Sequence, residues 1–122
     1  MNKIGLLLGI AFCGLSVILG AFGAHALTLK EKYISVYDKA VLYQMFHALG
    51  ILIVCILDKV YSQMELDIVI WVFVLGIILF SGSLYLLAIT EIKWLGAITP
   101  IGGTLFIVGW IMLLFKIINL NS

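Results

Sequence analysis

Arginine is absent from this chain, proline occurs once, and only 11% of its 122 residues carry a charge. A soluble domain is charged at roughly 25% of its positions, and a chain this short would have a large surface to cover with polar groups. Apolar residues instead make up 65% of the sequence and mean hydropathy is +1.30, so the solvent it fits is lipid. Seven lysines against six acids leave a net charge of +1, which provides no basic footprint for nucleic acid. Cysteine is scarce as well. Cys13 and Cys55 stand singly in apolar runs, without the paired spacing of a zinc or redox site, and read as small hydrophobes.

Catalytic signatures are missing too. There is no nucleophile elbow, metalloprotease helix, phosphate loop or dinucleotide fingerprint, so nothing in the sequence demands an enzyme, and no cofactor or resident metal is expected. The carboxylates Glu31, Asp38, Asp58, Glu65, Asp67 and Glu91 all fall at or beyond the ends of the apolar runs. A cation exchanger would need a buried acid; only His47 could play that part here.

What the sequence has is four apolar segments: Ile4 to Leu27, Ala40 to Leu57, Ile68 to Thr90 and Trp94 to Phe115. Each suffices to cross a membrane, which takes about 20 residues at 1.5 Å each. The expected fold is therefore all-α, an up-down-up-down bundle of four transmembrane helices in a single membrane domain over residues 1–122. The N-terminal run, with Ala24-His25-Ala26 after it, imitates a cleavable signal sequence but is longer than such a region usually is, and is expected to stay as a membrane helix. Trp71, Trp94, Tyr33, Tyr37 and Tyr61 mark the expected interfaces. From Leu29 the apolar residues recur at helical spacing, which suggests an interfacial lead-in to the second helix. Charge does not orient the chain. Lys3, Lys59, Lys116 and the α-amino group on the face of the termini balance Lys30, Lys32, Lys39 and Lys93 on the opposite face, a tie under the positive-inside rule.

Polar residues collect in the half of the bundle away from the termini. At 1.5 Å per residue, His25 lies roughly 3 Å in from that border, Tyr43 and Gln44 roughly 5 to 6 Å, Tyr85 and Thr99 about 7 to 8 Å, and His47 about 10 Å. Ser83, Ser81 and Thr104 follow at about 10 to 15 Å. Tyr43 and Gln44 stand four and three residues before His47, and so share a helix face with it. An unsatisfied polar group in hydrocarbon costs several kcal/mol, so that face must turn inward. Two readings remain open. These side chains either tie helix to helix, or line a pocket for a small ligand, lipid head group or ion, with His47 at its floor. A haem or metal held by His25 and His47 is disfavoured by the difference of about 7 Å in their depths.

Small residues suggest a third theme. Gly5, Gly9 and Gly20 on the first helix stand at spacings that allow close helix approach, within the chain or between copies of it. Such faces would suit a structural or chaperone-like partner of other membrane proteins. On the last helix, Pro100 removes one backbone N–H and Gly102 and Gly103 loosen the following turn, so a kink is expected there.

The segments Gly20-Ala21-Phe22-Gly23-Ala24-His25, Tyr43-Gln44-Met45-Phe46-His47, Phe80-Ser81-Gly82-Ser83-Leu84-Tyr85 and Ile98-Thr99-Pro100-Ile101-Gly102-Gly103, with Gly109-Trp110 after them, resemble motifs of the domain of unknown function 423 family. These are small four-helix membrane proteins, related to transmembrane protein 256. The resemblance covers essentially the whole chain. It implies patterned positions at His25, Tyr43, Gln44, His47, Ser81, Ser83, Tyr85, Thr99 and Pro100, and leans toward termini in the cytoplasm. The family brings no activity with it, so a ligand- or lipid-binding role, with permeation of a small solute or ion as an extension, rests on the polar residues themselves.

Overall fold

A computed structural model describes residues 3–23 and 27–120. Four long helices account for nearly all of it. Helix α1 covers Lys3–Ile18 and continues as a π-helical turn over Leu19–Gly23; α2 covers Glu31–Val60, α3 covers Asp67–Thr90 and α4 covers Thr99–Ile118. Each of the four runs is long and apolar enough to cross a membrane. The molecule is an all-α bundle of four apolar helices, consistent with a multi-span membrane protein.

Several borders follow from local chemistry. Asp67 lies in the first turn of α3, where a carboxylate favours the positive end of the helix dipole. One residue earlier the backbone N–H of Leu66 donates to Asp58 Oδ1 at 3.0 Å, which closes the short connection from α2. Helix α3 stops at Glu91, whose left-handed backbone (φ 59°) lets its N–H return to the Leu87 carbonyl, a standard way to satisfy a terminal acceptor. Glu91 is held in turn by Lys30, with Nζ 3.0 Å from Oε1, so the end of α3 meets the start of α2.

Helix α2 differs from expectation in length. Its 30 residues extend about 45 Å, beyond a hydrocarbon core of about 30 Å. The surplus is the N-terminal part, so the anticipated lead-in is continuous with the spanning helix. Tyr33 and Tyr37, expected at the interface, are buried there against Ala88.

The last span also differs. A 3-10 segment over Lys93–Ala97 precedes α4, and Pro100 falls in the first turn of the α-helix. At that position a missing N–H leaves no hydrogen bond broken and the fixed φ suits the helix.

Packing is sequential: α1 lies against α2, α2 against α3, and α3 against α4. The central pair is the more enclosed. Within the most apolar stretch of each span, 44% of residues are buried for α2 and α3 but 17% for α1 and α4. The outer helices therefore turn most of their surface to lipid. The core cluster includes Ile51, Val54, Leu66, Val69, Ile70, Phe73 and Phe106.

Candidate functional site

The polar side chains expected to share one pocket are distributed over separate helix seams. Between α1 and α2, Gln44 Nε2 donates to the Phe12 carbonyl at 3.0 Å and Tyr37 Oη to the Leu19 carbonyl at 2.6 Å. The Leu19 carbonyl opens the π-helical turn, and a Cβ placed on Gly23 would collide with the Tyr37 hydroxyl, so glycine is what admits the tyrosine. Between α2 and α3, Tyr85 Oη donates to Gln44 Oε1 at 2.6 Å, and Ser81 Oγ to the Ala40 carbonyl at 2.7 Å. Between α3 and the start of α4, Ser83 Oγ and Thr99 Oγ1 lie 2.6 Å apart.

Thr104 stands outside these links. Thr104 Oγ1 donates to the Pro100 carbonyl of its own helix at 2.8 Å. His25 lies outside the described residues. Among the described residues, no buried side-chain nitrogen or oxygen lacks a hydrogen-bond partner.

His47 belongs to a different setting. It is 3% exposed, and its ring lies face to face on Phe106, with centroids 3.5 Å apart and planes within 7°. Trp110 Nε1 donates to His47 Nε2 at 3.0 Å, and Nδ1 lies 2.9 Å from the Tyr43 carbonyl. Because Nε2 accepts from the indole, the ring proton sits on Nδ1 and is given to the carbonyl. Both nitrogens are occupied within the protein. No nitrogen is left to ligate haem or metal, and no group of three or more metal-ligating side chains occurs among the described residues.

Around this histidine a groove of about 540 Å³ lies between α2 and α4. Leu42, Tyr43, Phe46 and His47 supply one wall. Phe106, Ile107 and Trp110 supply the other, with Gly103 and the Phe80 ring of α3 completing the lining. Phe46 and Ile107 are 59% and 61% exposed, so the groove opens sideways, toward the acyl chains.

Tyr43 and His47 thus face the groove while Gln44 faces α1 and α3. The three share a broad inward face, but α2 has neighbours on both sides and that face serves two seams. Trp110, which is not among the residues expected for the site, is the functional candidate that sequence reasoning missed. An indole N–H in hydrocarbon must find an acceptor, although depth counted along the sequence does not single out His47 as its partner. That requirement was the available signal.

The glycines sort as clearly. Gly5 and Gly9 are buried on α1, and a Cβ on Gly9 would meet Leu52 at 2.7 Å. One on Gly20 would meet Val41 at 3.1 Å. Gly102 presses on the backbone of Phe80, while a Cβ on Gly103 would meet the Phe80 ring at 3.7 Å.

Four apolar spans, buried polar groups paired between helices and a lipid-facing aromatic groove define a small multi-span membrane protein. The chain belongs to the family described as "Protein of unknown function (DUF423)", whose model matches residues 19–103. It is 50% identical over 116 residues to a UPF0382 membrane protein of Staphylococcus haemolyticus, covering 93% of this chain and 94% of the relative. A UPF0382 membrane protein of Staphylococcus saprophyticus is also 50% identical, over 120 residues, 94% of this chain and 99% of the relative. The UPF0382 membrane protein YwdK of Bacillus subtilis is 47% identical over 114 residues, 91% and 93% of the two chains. No solved structure matches the chain.

Proposed function

We propose that this protein is a non-enzymatic membrane protein that binds an apolar, bilayer-borne small molecule in the α2–α4 groove. Its four spans would run up-down-up-down as one membrane domain, and the ligand would enter sideways from the acyl-chain region. The observation that carries this reading is the groove itself: aromatic on both walls, about 540 Å³ in volume, and within the roughly 300–1,000 Å³ of small-molecule sites. Since both nitrogens of His47 are already bonded, recognition would come from ring faces and shape. His47 and Trp110 hold the two walls together, and Tyr43 offers a polar edge at 39% exposure.

The remaining members of the expected site, Gln44, Ser81, Ser83, Tyr85 and Thr99, act in this reading as ties between helices. Permeation would then require several chains, because within one chain the described buried polar atoms are all paired.

Assembly with other membrane proteins or with further copies is the second reading. It draws on the wide lipid-facing surface of α1, where Gly14 has open space before it. Gly9 and Gly20 are already spent on α2.

One experiment separates the two. Liposomes containing the full chain would be photolabelled with a diazirine-bearing aryl hydrocarbon, and the labelled peptides mapped. Labelling should concentrate at Phe46 and Phe106 and be lost in Gly103→Leu, which fills the groove. Gly14→Leu should leave the labelling unchanged and alter only cross-linking between chains. Labelling spread evenly over lipid-facing residues, or indifferent to Gly103→Leu, would sink the groove reading.

A further inference from the structure

A second cavity, of about 620 Å³, lies at the opposite end of α4 from Pro100, where the α2–α3 connection passes the C-terminal turns. Its composition changes along its length. Ile111, Met112 and Phe115 line it toward the membrane interior, and Met64 covers it from the connection. Gln63, Lys116 and Asn119 line it at the outer end. From Ile111 to Asn119 the helix rises about 12 Å, which takes a bound molecule from hydrocarbon to the headgroup layer.

Lys116 is the informative residue. It is half-buried, yet it makes no ion pair or hydrogen bond among the described residues. The carboxylates around the α2–α3 connection, Asp58, Glu65 and Asp67, are not part of the lining, and Asp58 accepts from the Leu66 N–H. A lysine at a helix end can reach the interface along its apolar stem. Here the ammonium shares a cavity with two side-chain amides, so three groups able to donate hydrogen bonds stand over an apolar slot.

We propose that this cavity holds an anionic phospholipid, with its phosphate at Lys116, Gln63 and Asn119 and one acyl chain along Ile111 and Met112. Charge complementarity selects this occupant: among the described residues the lining contributes a cation and neutral donors but no carboxylate, so an anionic headgroup is favoured over a zwitterionic one. The site is distinct from the aromatic groove and does not depend on it.

The test uses the full chain in detergent micelles, titrated with phosphatidylglycerol or phosphatidylcholine and followed by native mass spectrometry. Phosphatidylglycerol should be retained about fivefold more strongly, the effect expected of one lysine near a charged lipid surface. Lys116→Gln should abolish that preference, and Lys93→Gln, at the far end of the span, should keep it. Met112→Trp, which fills the slot but leaves the charge, should weaken retention of both lipids, and it decides the matter if Lys116→Gln loses helicity. Equal retention of the two lipids by the wild type overturns the proposal, as does a preference that survives Lys116→Gln or a retention that Met112→Trp leaves unchanged. Displacement of the lipid by millimolar inorganic phosphate alone would also overturn it, since the acyl chain would then contribute nothing.

Discussion

The two seams on either side of α3 hold their helices by different physics. Toward α2, beyond the apolar core around Ile51, Val54, Ile70 and Phe73, the contact is polar: Ser81 reaches the Ala40 carbonyl and Tyr85 reaches Gln44, which itself reaches Phe12 on α1. Toward α4, beyond the Ser83–Thr99 link, the contact is steric. Phe106 lies over Gly76, Phe73 lies over Gly109, and Gly102 lies against the backbone of Phe80. As residue numbers rise along α4 they fall along α3, so each phenylalanine enters the gap that a glycine of the other helix leaves. Lipid tails are as apolar as leucine, so burying hydrocarbon gives no driving force between helices. A polar pair and a close-packed glycine are the two remedies available, and this chain uses one on each face of a single helix.

The steric seam should be the more brittle. A Cβ on Gly102 would strike the Phe80 backbone, and backbone on both sides cannot move aside as a rotamer can. Gly102→Leu is therefore expected to destabilise the bundle by at least the upper end of the roughly 1–3 kcal/mol typical of overpacking. Unfolding in mixed micelles by increasing sodium dodecyl sulfate would measure it. A loss below that of Gly103→Leu, whose neighbour is only a ring edge, would contradict the idea that close backbone approach organises this seam.

The polar seam should fail more gently and in a coupled way. Replacing Gln44 by leucine removes the bonds to Phe12 and Tyr85 together, each worth about 0.6 kcal/mol on average in a membrane, and leaves the Tyr85 hydroxyl without its acceptor, which costs about 1–3 kcal/mol when buried. Tyr85→Phe removes that orphan. The double variant should accordingly be no less stable than Gln44→Leu alone, with a coupling energy of about 1 kcal/mol in the same assay. Strict additivity would mean that the Gln44–Tyr85 bond adds nothing to the seam.

The spans and the inward-turned polar residues are legible in the sequence, whereas the division into a polar and a steric seam is not. The four spans follow from hydropathy and charge placement, because lipid leaves helices as the main way to satisfy a backbone. That Gln44, His47, Ser81 and Tyr85 turn inward follows from the same cost. What the sequence left open was pairing. Gln44 and His47 lie three residues apart on one helix yet serve different neighbours, and spacing cannot say how many neighbours a helix has. Trp110 joins His47 across 63 positions, a link visible only once α2 and α4 are set over α3. Gly102 presented a related ambiguity. A glycine after a proline reads as a loosened turn, but here it sits in regular helix and is used for contact.

Thr104 supplies the mildest comparison. It lies on α4 within the depth range of the polar side chains, and by sequence it is indistinguishable from Thr99. Its hydroxyl, however, donates to the Pro100 carbonyl four residues back, whereas that of Thr99 is within hydrogen-bond distance of another helix. A back-bonded threonine contributes nothing between helices and slightly disfavours its own, so Thr104→Val should change stability by less than about 0.5 kcal/mol. Thr99→Val should cost about 0.6 kcal/mol, the typical value of an interhelical bond, and should lose that cost in a Ser83→Ala background. If the two threonine variants behaved alike, depth alone would govern what a polar side chain contributes, and the distinction between polar and steric seams would lose its footing.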